Sequence, residues 1–229
     1  MVSETLIGML EGWTGPGWGA VGLRVAVIGV ALVIWFRTQR WLGARAESGT
    51  GGGGIEDGTH RLTARWHAWF HAHPAAADRA LVLSSLGIDG LGLFLILAAV
   101  LGPTFAPFLG VLIVFSMRQV CQALCPLPPP PGMIWRDPGV PTLLVTYGVG
   151  NDLFFSGHTA LAVLGAIEVC HLAPGWLGTL AVLLAAGEVM IVLVLRAHYT
   201  LDVVAGAFAA WFAADVAGRV SPWVDAWLK

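Results

Sequence analysis

The stretch WLGTLAVLLAAGEVMIVLVL, residues 176–195, carries a single ionisable side chain, Glu188, and no proline. About 20 consecutive apolar residues span a bilayer as one helix, so this run reads as a membrane span. Similar runs lie at Trp18–Phe36, Leu81–Leu101, Phe105–Ser116 (continuing helically to about Leu124), Thr159–Leu172 and Val203–Val216. Together they predict an all-α polytopic membrane protein with six transmembrane helices and both termini on one face. Composition agrees. The 229 residues are 57% hydrophobic and 11% charged, whereas a soluble domain carries about 25% charged residues. So few charges cannot cover a water-facing surface, and the same balance excludes disorder for the bulk of the chain. A net charge of −2 with scattered Lys and Arg excludes a nucleic-acid footprint.

Outside these runs the chain divides in two. Residues 1–79 hold the first span, a linker and a surface helix; residues 80–229 hold the helical core. Glu4 and Glu11 without a basic region argue against a cleaved leader, so the first span is expected to act as an anchor. Arg24, near its start, is expected to snorkel to the interface. Ser48–Gly54 is a flexible linker by composition, continued by Glu56, Asp57 and Gly58. Arg61–His73 places Leu62, Trp66, Trp69 and Phe70 at helical spacing, which predicts a short interfacial helix. His67, His71 and His73 there read as interfacial polar groups, with metal binding the less favoured alternative. Cys121 and Cys125 read as apolar filler rather than a redox or metal pair. Between the third and fourth spans, Cys125–Asn151 contains Pro128–Pro131, which cannot be helix interior. It predicts a stiff loop that walls or covers a site.

Two polar segments stand out from this background: Asn151-Asp152-Leu153-Phe154-Phe155-Ser156-Gly157-His158-Thr159 and Arg196-Ala197-His198-Tyr199-Thr200-Leu201-Asp202. Helix parity puts both on the face opposite the termini. His198 and Asp202 are four apart, so one helix face carries both. Asp202 can hold one ring nitrogen of His198 and make the other a better nucleophile. Ser156 can cap the fourth helix, whose N-terminus suits a phosphate oxygen, and Gly157 lets backbone approach closely. His158 on the first turn can give a proton to a leaving alkoxide. Capping and interfacial polarity are the plain readings of each residue alone. Two His and one Asp at one interface suggest acid, nucleophile and orienting base. Asp89, Glu168 and Glu188 lie within apolar runs and are candidates by position; Glu188 and Asp89 are possible site support. Phe154, Phe155, Trp135 and Tyr199 either line a lipid entry or pack.

FSGHT followed by HYTLDV resembles the type-2 phosphatidic acid phosphatase superfamily, and more closely its sphingomyelin synthase branch. Asp152 stands four residues before Ser156, as in the branch's GDxxFSGHT pattern, and Arg118 precedes Leu127-Pro128 and a proline-rich turn. The resemblance covers Arg118 to Val220, about 45% of the chain. It implies that His198 attacks the phosphorus of a phospholipid headgroup with Asp202 orienting it. His158 would then protonate the leaving diacylglycerol and deprotonate the incoming hydroxyl. Asp152, Ser156, Gly157, Arg118, Arg196 and Tyr199 would bind substrate or phosphate, and no metal or cofactor is implied. The partners would be a phospholipid donor, a lipid acceptor and the bilayer.

The sequence departs from the wider pattern at two places. Where the superfamily has Lys and then Arg-Pro, this chain has Arg118 and then Cys125-Pro126. Where it has Ser-Arg before the second His, this chain has Ile191-Val192. A phosphomonoester dianion needs more positive charge than a monoanionic phosphodiester, which favours a diester donor. The expected activity is therefore transfer of a phospho-headgroup from a glycerophospholipid to a lipid hydroxyl, such as that of ceramide or diacylglycerol. The alternatives are a phospholipase C-like hydrolase or lipid phosphatase, and a non-catalytic transporter or scaffold. Orientation is in conflict. Arg37, Arg40, Arg45, Arg61, Arg65, Arg79, Arg118, Arg136 and Arg196 share the site's face, which the positive-inside rule places in the cytoplasm. The resemblance places that face outward.

Overall fold

A chain segment in hydrocarbon must satisfy its own backbone hydrogen bonds, and every apolar run here does so as a helix. The computed structural model describes residues 16–46, 56–125, 127–144, 147 and 153–228. In chain order the helices are α1 (Trp18–Ala46), α2 (Gly58–Leu62), α3 (Ala64–Ala72), α4 (Pro74–Leu101), α5 (Ala106–Leu124), α6 (Gly157–Leu172), α7 (Gly175–Val194) and α8 (Thr200–Trp227). Five of them, α1, α4, α5, α7 and α8, are long and apolar enough to cross a membrane, and α6 is a shorter apolar helix. The protein is an all-helical, multi-pass membrane protein. Helix α1 continues about ten residues beyond the apolar run, because hydropathy ends where the membrane does while the helical backbone goes on.

Helix ends follow local chemistry. Pro74 opens α4 and Pro107 lies in the first turn of α5, where a missing N–H costs nothing. Ser156 caps α6 by accepting from the Thr159 amide at 3.2 Å. At its 16 residues α6 rises about 24 Å, short of the roughly 30 Å hydrocarbon core. It is also the central helix, packed by α4, α5, α7 and α8. Its start lies level with Asp202 to Gly206, one to two turns into α8.

Without a hydrophobic force between helices in lipid, close packing depends on small residues. Gly206 of α8 shows why. A Cβ there would sit 2.6 Å from the Ser156 carbonyl oxygen, so α8 can lie on the start of α6 only with hydrogen at that position. Further along α8, Ala209, Ala210, Ala213 and Ala217 are buried. On the other side of α6, a Cβ at Gly178 of α7 would meet Cys170 Sγ at 2.9 Å.

Three expectations change. Arg24 does not snorkel; it is 1% exposed. Its guanidinium donates to the Ala99 and Gly102 carbonyls at 3.3 and 2.9 Å and to Asp225 at 3.4 Å. Asp225 also accepts from the Phe105 amide at 2.8 Å. Arg24 thus satisfies the carbonyls left open where α4 ends, and α8 supplies the counter-charge. Second, the interfacial segment is two helices that break at Thr63. Leu62, Trp66 and Trp69 face outward, while His60 and His67 are buried. Third, Asp57 is not linker: it caps α2 through the Thr59 and His60 amides at 2.8 and 3.3 Å. Residues 48–54 and Asp152 lie outside the described residues.

Candidate active site

The two polar segments meet because α6 and α8 begin side by side. The Ser156 amide donates to the Asp202 carbonyl at 3.1 Å, and Gly206 lies directly over Ser156. His198 ends the α7–α8 turn and Asp202 lies in the first turn of α8, facing it. His198 Nδ1 is 3.7 Å from Asp202 Oδ2. That oxygen also accepts from the Tyr199 amide at 2.9 Å, which fixes the carboxylate. Both residues are buried, and His198 Nδ1 and Asp202 Oδ1 have no hydrogen-bond partner. With Nδ1 turned to the carboxylate, Nε2 is the His198 nitrogen left to meet a substrate.

His158, on the first turn of α6, is held edge-on by the Trp135 indole, with centroids 4.9 Å apart at 85°. Its buried Nε2 also lacks a partner. His198 and Arg118 lie close enough to act on its charge. Arg118 reaches from α5 to donate Nε to the Phe155 carbonyl at 2.9 Å. Its guanidinium then lies across Gly157, where a Cβ would be 3.1 Å from Nε. Gly157 therefore makes room for this cation. Buried polar groups are normally hydrogen-bonded, so the unmatched nitrogens of His158 and His198 single this region out as the candidate site.

The other candidates are placed elsewhere. Arg196 has a left-handed backbone, φ 54°, and donates Nη1 to the Pro131 carbonyl at 2.8 Å. Tyr199 is buried and stacks on His60 at 5.8 Å between centroids. Glu188 accepts from Ser84 Oγ at 2.7 Å, joining α7 to α4. Asp89 accepts the Leu143 and Leu144 amides at 2.8 and 2.9 Å and anchors the loop. Phe155 packs into the core. Among the described residues, no group of His, Cys, Asp and Glu is placed to hold a metal ion.

The proline-rich segment walls the site. The Ile134 amide donates to the Leu195 carbonyl at 2.8 Å, and Arg136 pairs with Asp78 at 2.7 Å. Gly132, at φ 76°, lies against His67 Nε2 and Arg196 Nη1, each within 3.4 Å of where a Cβ would be. Asp57, His60 and His67, from the cap of α2, α2 itself and α3, complete the frame; the sequence reading assigned Asp57 to the linker and His67 to the interface and passed over His60. Asp57 accepts from the Thr200 amide at 2.6 Å and hydroxyl at 2.7 Å. Its burial would raise the carboxyl's pKa, but these bonds and the His60 amide outweigh it and hold the value below 3.8. His60 Nε2 meets the His198 carbonyl and His67 Nδ1 the Val194 carbonyl, each at 2.9 Å. A carbonyl only accepts, so both nitrogens carry hydrogen. The available signal was Asp57-Gly58-Thr59-His60, an N-cap residue opening a helix.

Burial lowers the His67 pKa below 6.5, outweighing the help of the Val194 carbonyl, and the charges of Arg196, His71 and His60 lower it further. A base whose folded pKa is depressed contributes its full stability above the unfolded value. It loses that stability as pH falls below about 6.5 through the folded value. The protection factors of the 195–198 amides, each exchange rate being taken relative to its intrinsic rate at the same pH, should therefore fall between about pH 7 and pH 5. His67→Asn keeps a donor near Nδ1 without the titration and should flatten the response. An unchanged acid response in that variant would clear His67.

No curated protein and no solved structure matches the chain. Residues 150–215, running from the approach to α6 through the first half of α8 and so containing His158, His198 and Asp202, match the family described as PAP2 superfamily C-terminal, which supports a lipid phosphatase or phosphotransferase type of protein.

Proposed function

We propose that the protein is a membrane phosphotransferase that moves a phospho-headgroup from a glycerophospholipid to a lipid hydroxyl through a phosphohistidine at His198. The observation that carries this reading is the meeting of His198, Asp202 and His158 at the start of α6 and α8, with Arg118 across Gly157. In the first half-reaction His198 Nε2 forms a bond to phosphorus as the P–O bond to the glycerol breaks. The bonding pair leaves on that oxygen, which takes a proton from His158. Asp202 balances the positive ring. In the second half-reaction the acceptor hydroxyl gives its proton to His158 and its oxygen bonds to phosphorus. The N–P pair returns to His198. Splitting one displacement into two is the usual benefit of a covalent nucleophile. Arg118 is the cation nearest the reacting groups. Few cations stand near these groups among the described residues, which matches a monoanionic diester better than a dianionic monoester.

The test uses purified full-length protein in detergent, a panel of labelled glycerophospholipids, and ceramide or diacylglycerol present or absent. A new phospho-headgroup lipid should form only with the acceptor, together with diacylglycerol from the donor. Diacylglycerol formed equally without acceptor would make the protein a hydrolase. Free phosphate from phosphatidic acid would make it a lipid phosphatase.

A further inference from the structure

The backbone that carries His198 is gripped from outside its own helix pair. Four of its polar groups, between Val194 and Thr200, are matched by side chains or amides from distant segments. His67 takes the Val194 carbonyl and the Ile134 amide takes that of Leu195. His60 takes the carbonyl of His198 itself, across 138 residues of sequence, at 2.9 Å. Asp57 takes the amide and hydroxyl of Thr200, the first residue of α8. The Asp57 carboxylate thus caps α2 and α8 together, and the cap of α2 is what aims His60. His60 is 6% exposed, with its ring laid on Tyr199. The grip lies on both sides of His198, at residues 194, 195, 198 and 200.

We infer that Asp57 and His60 are positioning residues for His198: through the His198 carbonyl and the first turn of α8 they fix where its imidazole stands relative to Asp202 and His158. The naming of His198 as nucleophile rests on the function proposed above; the placement itself rests on the hydrogen bonds alone. The physical reason is leverage. The Asp202–His198 approach is 3.7 Å, already longer than a hydrogen bond. A displacement of about 1 Å in a reacting group costs roughly 10²-fold in rate. His198 has its one link to α2 through its own carbonyl, so losing that link frees the very residue that must be still. Neither Asp57 nor His60 touches the reacting atoms, so the loss should appear in kcat and leave KM for the donor lipid alone.

The test compares full-length His60→Leu, His60→Gln and Asp57→Asn in detergent, with His198→Ala as control. Gln places an amide N–H near the position of the histidine Nε2 and can still donate to the His198 carbonyl. Asn at 57 can keep one oxygen for the Thr59 and His60 amides and the Thr200 hydroxyl, but it sets an NH2 against the Thr200 amide in place of Oδ2 and so loses that bond. His60→Leu and Asp57→Asn should each lower kcat, by up to about 10²-fold, with donor KM unchanged, and His60→Gln should recover most of the rate. Spectra of ¹⁵N-histidine-labelled protein give an independent readout. The seven histidines are few enough for His198→Ala to assign the His198 ring signals. Those signals should move or broaden in His60→Leu and return in His60→Gln. Wild-type kcat and unmoved His198 signals in His60→Leu would overturn the inference. So would equal impairment of His60→Gln, since ring bulk rather than the hydrogen bond would then be the cause. Should His60→Leu not fold, Asp57→Asn with wild-type kcat overturns it on its own. Full turnover in His198→Ala would sink the proposed function, and the ring signals would still decide whether His60 places His198.

Discussion

Replacing His198 with alanine should lower turnover by at least about 10⁴-fold, the scale on which removing a nucleophile acts. That loss corresponds to about 5.5 kcal/mol of transition-state stabilisation. Stability should change far less. The contacts that hold this position are backbone ones: the carbonyl that meets His60 and the amide that turns back toward Val192. Alanine keeps both. Donor lipid should still bind, because the change removes one imidazole and leaves the surrounding helices in place. The decisive measurement is a single-turnover assay with radiolabelled donor, quenched in base, where phosphohistidine survives and acyl phosphates do not. The wild-type protein should retain label and His198→Ala should not. Label retained by the variant, or turnover within tenfold of wild type, would remove His198 from the role.

Asp202→Asn isolates charge from structure. The Asp202 carboxylate both caps α8 by accepting from the Tyr199 amide at 2.9 Å and faces His198 Nδ1 at 3.7 Å. An asparagine oxygen can go on accepting from Tyr199, so the helix start is kept. Its amide cannot balance a positive imidazole. In a hydrolase triad the equivalent change costs about 10⁴-fold in kcat; the longer separation here predicts a smaller fall, about 10²- to 10³-fold. KM for the donor should hold. An unchanged kcat would mean that the carboxylate serves only as a cap.

The apolar runs were legible because a membrane span is a local property of about 20 residues, and none of the runs failed to become a helix. The two halves of the site were legible for a related reason. Ser156 before α6, and His198 four residues from Asp202, are short-range patterns, and parity alone brings them to one face. What escaped was everything joined across long stretches of chain. Asp57 reads as linker because it follows a glycine tract, yet its second partner is 143 residues away. His60 drew no notice, and its partner is 138 residues away. Arg24 looked like a snorkelling residue because it lies near the start of its span; its acid is 201 residues further on. Arg196, a candidate phosphate ligand by its neighbourhood in sequence, has a distant partner as well: its Nη1 donates to the Pro131 carbonyl, 65 residues away. Periodicity and capping describe a residue's own turn and say nothing about which distant group will arrive there.

The Arg24 cluster has a consequence for the order in which this protein is made. Helix α1 enters the membrane early and brings a cation with it. The Ala99 and Gly102 carbonyls reach it only after α4 has followed, and Asp225 only once nearly all of α8 has left the ribosome. Until then α1 carries an unbalanced charge near its N-terminal end, where water and headgroups can still solvate it. The nascent bundle therefore has a cheap way to stay open, with α1 loosely seated while the other helices find their places. Arrival of Asp225 closes it, because a buried cation parted from its acid is worse by about 3–5 kcal/mol. In this reading the far end of α8 is a latch on α1. A chain stalled before residue 225 would present quality control with an unmatched arginine in the membrane.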